Sequence, residues 1–398
     1  MKFLICALLI PMTALAANYK KAIPGEYIVK GNGIVDAKLI RELGAGIRLV
    51  KSSQKIIPNN KTIFQNYEYV GNFLEGKVTG VINDEKLKDQ FHHKQIKSMD
   101  AWKISTGSEN IIVAVTDNEF EMDHDDLKNA WWKNTNEIPA NGIDDDKNGY
   151  IDDVNGWDFL SQDNNMDVEE GPTHGTHVSG IIAAAMNNKI GVVGIAPNVK
   201  VMPLRWYGDE GRWTTAIVVE TYRYAVENGA KIITTSYNID ELSVDPAFLD
   251  VVQYIKENGV LLFNSAGNDR KKNPPRQNVE DIILVCSVKS KSKISADKKS
   301  SFSNYGTGID ICAPGNPILS TVQGRYEGES RYGELEGTSM SAPAAAAVAA
   351  LIWSRNPNFT LDEVREKLYN SADNIDAKNK KYKGLLGAGR INAFNAVK

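Results

Sequence analysis

The sequence predicts an α/β fold, a doubly wound and mostly parallel sheet flanked by helices, preceded by a small α+β unit. Three observations predict it. From about residue 90 onward, short β-branched runs alternate with helix-length segments, the βαβ rhythm of a parallel sheet. Those runs, such as IIVAV at Ile111 to Val115, are apolar throughout, as strands buried on both faces must be. A chain of 398 residues with 42% hydrophobic residues is long enough to bury one large core and a smaller one.

Taken in order, the chain opens with MKFLICALLIPMTALAANYK, where Lys2 precedes an apolar run ending in Ala14, Leu15 and Ala16. This is the layout of a secretory signal peptide over residues 1–16, cut between Ala16 and Ala17; a membrane anchor or a first strand is the alternative, but the run is short for a bilayer. Residues 17–85 then form the small unit, with a strand over Pro24 to Gly31, a short helix over Asp36 to Leu43 and a strand over Ile47 to Lys51. The charged segment Asp84 to Asp89 reads as a linker, and residues 86–398 as the main domain. Its strands are expected at 111–115, 199–204, from 231, from 260, from 282 and from 309, with helices at 215–228 and 246–258. The alanine-rich run after Ser339 reads as a buried helix, and Trp353 onward as closing helices with no further domain after them.

Lys and Arg total 46 against 50 Asp and Glu, a net charge of -4 that offers nucleic acid no basic face. No later apolar stretch is long enough to span a membrane, so a soluble, secreted monomer is expected, extracellular or periplasmic. Of three cysteines, Cys6 leaves with the signal peptide; Cys286 and Cys312 form either a disulfide or two buried thiols.

Four segments carry chemistry. Asp117 stands just past the first buried strand, where functional groups of open α/β sheets collect. GPTHGTHVSG puts His174 and His177 at the start of an apolar helix, NSAGN puts Asn268 after a buried strand, and EGTSMSAP puts Ser339 at the mouth of the alanine helix. Amide hydrolysis needs a hydroxyl made nucleophilic by an imidazole, a carboxylate to orient that imidazole, and donors for the oxyanion. The chain has one residue for each. On its own, Ser339 reads as a helix cap before it reads as a nucleophile, with Pro343 at a normal helix start.

These blocks, VAVTD, HGTH, SAGN and GTSMSAP, stand in the order in which they occur in the subtilisin family of serine peptidases, which the chain resembles over nearly its whole length. The order Asp, His, Ser separates it from α/β-hydrolases, where Ser comes first in GxSxG. The resemblance implies Ser339 as nucleophile, His174 as general base and then acid, Asp117 as its orienter and Asn268 as an oxyanion donor. His177 reads as a packed support; zinc is excluded because the pair lacks the HExxH spacing. Asp123, Asp125 and Asp126 read as loop carboxylates. PGEYIVK resembles the start of an inhibitory prodomain, so the small unit is expected to restrain the enzyme until a cut between about Gly76 and Gln95. Polypeptide substrates are expected to pair with Ser236, Tyr237 and Asn238 on one side and Ser265, Ala266 and Gly267 on the other.

Three features complete the reading. In NGIDDDKNGYIDD, residues Asp144, Asp146, Asn148, the Tyr150 carbonyl and Asp152 have the spacing of a calcium loop, with Gly149 at its turn; Asn155 at the twelfth position makes the match partial, and a solvated acidic turn is the alternative. Calcium binding is common in the family, so a structural Ca2+ is expected, and no cofactor for catalysis. Glu119 follows the catalytic Asp where the family has Gly, and is expected to raise the pKa of His174. Asn238 replaces a Gly of the pocket wall, which puts the family's broad apolar preference in question. The expected function is a secreted serine endopeptidase that matures by removing its own prodomain; the alternative is a catalytically silent relative kept as a binding protein.

Overall fold

The computed structural model describes residues 82–166, 174–207, 214–290, 295–324 and 330–398, together with the backbone of four strands nearer the N-terminus. The signal peptide expected over residues 1–16 lies outside the described residues. The chain divides into two units, Met1–Leu74 and Glu75–Lys398.

In the first unit, β1 (Lys20–Lys30), β2 (Lys38–Gly44), β3 (Ile47–Lys51) and β4 (Ile63–Tyr69) form an antiparallel sheet in the order β2-β3-β1-β4. The helix expected over residues 36–43 is strand β2. Its KLIRELG suits either period over so few residues, and pairing decides: Leu39 lies opposite Val50 and Arg41 opposite Leu49.

The second unit begins with α1 (Phe91–Ile96) and α2 (Ser98–Ala101). Then follow β5 (Ile112–Asp117), the short β6 (Trp157–Asp158), α3 (His174–Ala183), β7 (Lys200–Arg205), α4 (Thr215–Glu227), β8 (Ile232–Thr235), α5 (Pro246–Glu257), β9 (Leu261–Ser265), β10 (Ile282–Lys289) and β11 (Ile311–Asn316). These seven strands form one parallel sheet in the order β11-β10-β9-β8-β5-β7-β6. Because β5 lies between β7 and β8, the chain reverses its direction of travel across the sheet at β5. The crevice at its carboxyl end is therefore the switch point at which such sheets bind ligands.

Local chemistry starts the helices where they start. Thr214 caps α4 at the Ile217 N–H, Asp245 accepts from Ala247 and Phe248 with Pro246 in the first turn of α5, and Thr360 with Glu363 forms a capping box on α7 (Leu361–Asn370). The all-apolar strands serve two cores. Val113 and Val115 of β5 face one, shared with α3, α6 (Thr338–Arg355) and α8 (Ala393–Val397), while Ala114 faces the other, beneath α4 and α5. Helix α6 is buried from Met340 to Trp353, and its alanines let it lie close against the sheet. The hairpin of β12 (Ile318–Thr321) and β13 (Tyr332–Leu335) covers the start of α3.

Cys286 and Cys312 form a disulfide across β10 and β11, with Cα atoms 4.4 Å apart. That answers the question the sequence left open. At a sequence separation of 26, the chain-entropy model gives the bridge roughly 3 kcal/mol of stabilisation. Among the described residues no helix is long and apolar enough to cross a membrane.

Candidate active site

Asp117 ends β5 fully buried, and both its carboxylate oxygens lie 2.9 Å from His174 Nδ1. The Asn118 N–H donates to the same carboxylate at 2.9 Å, and the Tyr207 hydroxyl donates to it at 3.3 Å. This closeness depends on Gly175: a Cβ there would lie 2.3 Å from the Glu119 carbonyl oxygen and 3.1 Å from the Asp117 Cβ. The glycine lets the first turn of α3 press onto the strand end and set the imidazole on the carboxylate.

His174 keeps 23% of its side chain exposed, so Nε2 has access to the crevice. Burial lowers its pKa, but the charge of Asp117 and its hydrogen bond outweigh burial and raise the pKa above the ordinary 6.5. The expected upward direction holds, and the carboxylate responsible is Asp117. Glu119 is itself buried; the Tyr207 hydroxyl is raised by burial first, then by Asp117, with the charge of Glu119 adding least.

Ser339 is the second residue of α6. Its hydroxyl donates to the Ser236 carbonyl at 3.1 Å, and the Ser236 hydroxyl donates to the Ser339 carbonyl at 3.0 Å. The second bond has a covalent cause. Pro343 lies inside α6, one turn on from Ser339, and has no N–H for the Ser339 carbonyl, so Ser236 supplies the missing donor. Ser339 is thus no cap, and Pro343 does not stand at the helix start; the proline ties the serine to the end of β8, the strand next to β5. Ser339 is not hydrogen-bonded to His174 in this state.

Asn268 is fixed by the same helix start. Its Oδ1 accepts from both the N–H and the hydroxyl of Thr338 at 3.0 Å, and Thr338 Oγ1 accepts from the Gly267 N–H at 3.0 Å. With the oxygen held, Nδ2 is the end left to donate, and it lies beside Gly337, 3.5 Å from where a Cβ of that residue would be.

The subtilase family model (Peptidase_S8) matches residues 108–389 of this chain. The chain belongs to the subtilase family. This subtilase is 32% identical over 311 residues to thermitase of Thermoactinomyces vulgaris, covering 77% of the chain and 95% of thermitase. It is 32% identical over 298 residues to the thermophilic serine proteinase of Bacillus sp. (strain AK1), covering 75% of the chain but 64% of that protein. It is 30% identical over 331 residues to the halolysin-like extracellular serine protease Nep of Natrialba magadii, covering 83% of the chain and 55% of that protein. The chain thus spans less than two thirds of the length of the last two. Among solved structures, a protease from Pseudoalteromonas arctica PAMC 21717 superposes with a TM-score of 0.61 at 26% identity, covering 80% of this chain and 99% of that one.

The remaining sequence expectations divide. Ser236 is bonded to Ser339 and Asn238, two residues on, is exposed, but the Tyr237 ring turns into the core, packing 4.3 Å from the Trp206 ring centroid and bonding Tyr222. Ser265 and Ala266 are buried, so on that side Gly267 carries the surface. His177 is fully buried, with Nε2 at 3.1 Å from the Ile318 carbonyl and 3.2 Å from that of Gly333; burial pushes its pKa down to about 3, leaving a neutral ring that holds the hairpin to α3. Asp123 and Asp125 pair with Arg331, and Asp126 accepts from Asn188 and the Val192 N–H. Tyr207, which sequence reasoning missed, lies two residues past β7; its signal was only its place at the end of a strand flanking β5.

The expected calcium ligands lie in one loop, where Asn148 Nδ2 donates to both Asp146 and Asp153. Asp144 accepts from the Asn148 and Gly149 N–H groups, Asp152 from those of Asn141 and Gly142, and the Tyr150 ring packs on Trp157 and Tyr224. These carboxylates tie turns within the loop. The group brought together is Glu137, Asp146 and Asp153, whose oxygens lie within 4.8 Å of one another, with Glu137 and Asp153 buried. Only Asp146 belongs to the expected set. Glu137 lies outside the acidic run, so spacing within that run gave no sign of it.

Proposed function

We propose that this subtilase is a serine endopeptidase acting through Asp117, His174 and Ser339. The observation that carries the reading is the Asp117 carboxylate 2.9 Å from His174 Nδ1, beside a helix start that presents the Ser339 hydroxyl. Ser339 leaves the Ser236 carbonyl, gives its proton to His174 Nε2 and attacks the peptide carbonyl carbon. Asp117 holds Nδ1–H in place and stabilises the imidazolium. The Ser339 N–H, at the positive end of α6, and Asn268 Nδ2 donate to the oxyanion. Collapse breaks the C–N bond, His174 returns the proton to the leaving amine, and water releases the acyl group by the same steps.

The first unit acts as an inhibitory prodomain, cut from the enzyme ahead of Asn83. In support, Asn83 and Asp84 already accept hydrogen bonds from the 187–189 loop of the peptidase unit. Secretion is supported by the leader composition, by the disulfide, which persists in oxidising compartments, and by the extracellular relative from Natrialba magadii. The full chain and its Ser339→Ala variant test the reading together. The wild type is expected to lose its N-terminal unit and to be labelled by a serine-directed phosphonate, and the variant to do neither. An unprocessed, unlabelled wild type makes the chain a silent relative instead.

Glu137, Asp146 and Asp153 hold a structural cation. Three carboxylates so close, two of them buried, repel one another without a positive partner, and an all-oxygen donor set fits Ca2+. The ion neutralises the loop that connects β5 to β6. EDTA is expected to lower the melting temperature of Ser339→Ala by several degrees and CaCl2 to restore it; equal melting curves would remove the site.

A further inference from the structure

The peptidase reading leaves open which substrate side chain fits in front of Ser339, and a buried arginine addresses it. Arg276 is 2% exposed. Its Nη1 donates to the Ser265 carbonyl at 2.9 Å, its Nε to Asp240 Oδ1 at 2.7 Å and its Nη2 to Asn238 Oδ1. It therefore joins the two segments that leave β8 and β9 beside the nucleophile, Ser236–Asn238 and Ser265–Asn268. It also lies directly behind Gly267: a Cβ there would come within 3.3 Å of Arg276 Nη2 and 2.5 Å of Asn304 Nδ2, and the φ of +98° admits little but glycine. The resemblance to the subtilisin family implies that the side chain next to an attacked carbonyl lies between these two segments, and in support Ser339 is bonded to the first while Asn268 belongs to the second.

Asn238 is oriented by this clamp. Arg276 Nη2 and the Asp240 N–H, the latter at 2.8 Å, both donate to its side chain, and two donors require the amide oxygen. The NH2 of the exposed Asn238 is consequently turned outward. Donation from a guanidinium to the amide oxygen polarises the amide and strengthens its N–H groups as donors. Nearby charge points the same way: Arg276 and Lys271 share one carboxylate, Asp240, with Lys271 Nζ 3.8 Å from it.

Resting on the peptidase reading, we infer that Asn238, held by Arg276, is a hydrogen-bond donor for the substrate residue preceding the scissile bond. The preferred substrates are then polypeptides with an acceptor-bearing side chain there, glutamate first and glutamine second, over the apolar residues that a glycine at this position would admit. Asn238 touches substrate, and Arg276 is a positioning residue.

The test is a panel of fluorogenic peptide amides identical except for Glu, Gln, Leu, Phe or Lys before the leaving group, run on the matured enzyme with phosphonate labelling alongside. The wild type is expected to favour Glu and Gln over Leu in kcat/KM by about tenfold, the scale of one charge-assisted hydrogen bond. Asn238→Leu, exposed and close in shape, should invert that ratio, mainly through KM. Arg276→Met should lose the Glu preference as well, and Arg276→Lys should recover part of it. Should Arg276→Met fail to fold, Asn238→Leu decides alone. An enzyme that is labelled but cleaves Leu or Phe best, or whose Glu-to-Leu ratio is unmoved in Asn238→Leu, overturns this assignment and leaves the peptidase reading standing. A protein that is neither labelled nor active on any peptide overturns both.

Discussion

At the scale of single residues, the site is built by removing alternatives. Asp117 is held by the Asn118 N–H and the Tyr207 hydroxyl, so its carboxylate has one orientation toward His174. As a base, His174 must be neutral, and Asp117 raises its pKa above 6.5. The acidic limb of kcat/KM is therefore expected above pH 6.5, with activity rising as pH climbs through that value. In Asp117→Asn the carboxylate charge is gone and burial alone acts, so the limb should move down while kcat falls by about four orders of magnitude. The pH profiles of the two enzymes, read with one peptide substrate, check both effects. The residues proposed for catalysis, Asp117, His174, Asn268 and Ser339, are ones the sequence already singled out, because short motifs with fixed neighbours carry them. Tyr207, Arg276 and Glu137 were not, since each reaches its partner through the tertiary fold: Arg276 meets Asn238 across 38 residues, with no spacing rule to connect them.

At the scale of elements, the buried strands and the α4 and α5 helices follow the sequence reading closely, because all-apolar runs and capped amphipathic segments have few other places to go. The two-residue β6, the β12–β13 hairpin and the strand β2 did not follow from it; each is too short for its own periodicity to decide, and pairing decides instead. Helix α6 is the element under tightest constraint. Its alanines face the sheet on one side and α3 on the other, with Ala346 at 0% exposure. Ala346→Leu is expected to overpack this layer and cost about 1–3 kcal/mol, read as a lower urea midpoint in the Ser339→Ala background. Activity in the catalytic background should fall too, because Ser339 moves with the helix.

At the scale of the whole molecule, acid is the expected weakness. His92, His93 and His177 are buried and neutral; burial holds His92 well below 6.5, His93 at about 4 and His177 at about 3. In the unfolded chain they take up protons near pH 6.5, so the unfolded state binds more protons between there and about pH 4. Stability is accordingly full above pH 6.5 and is lost as pH falls, by about 1.4 kcal/mol per pH unit for each such histidine. His174, with its raised pKa, opposes this by one group only. Thermal melts of Ser339→Ala should show a midpoint clearly lower at pH 5 than at pH 7.5; a flat profile would mean these rings are not neutral in the fold.

The switch point at β5 has a further consequence, for time. Its groups come from distant parts of the chain: Asp117 and His174 are 57 residues apart, Thr338 and Asn268 are 70 apart, and Ser339 and Ser236 are 103 apart. The first strand of the sheet waits in its interior for two neighbours, β7 and β8, that are both made after it, and Ser339 arrives on a helix that can pack only once β8 to β11 are laid down. A fragment that stops short of α6 holds Asp117 and His174 but lacks Ser339. On the proposed mechanism, a chain still being synthesised therefore has no nucleophile until α6 is made, a protection supplied by the order of synthesis alone.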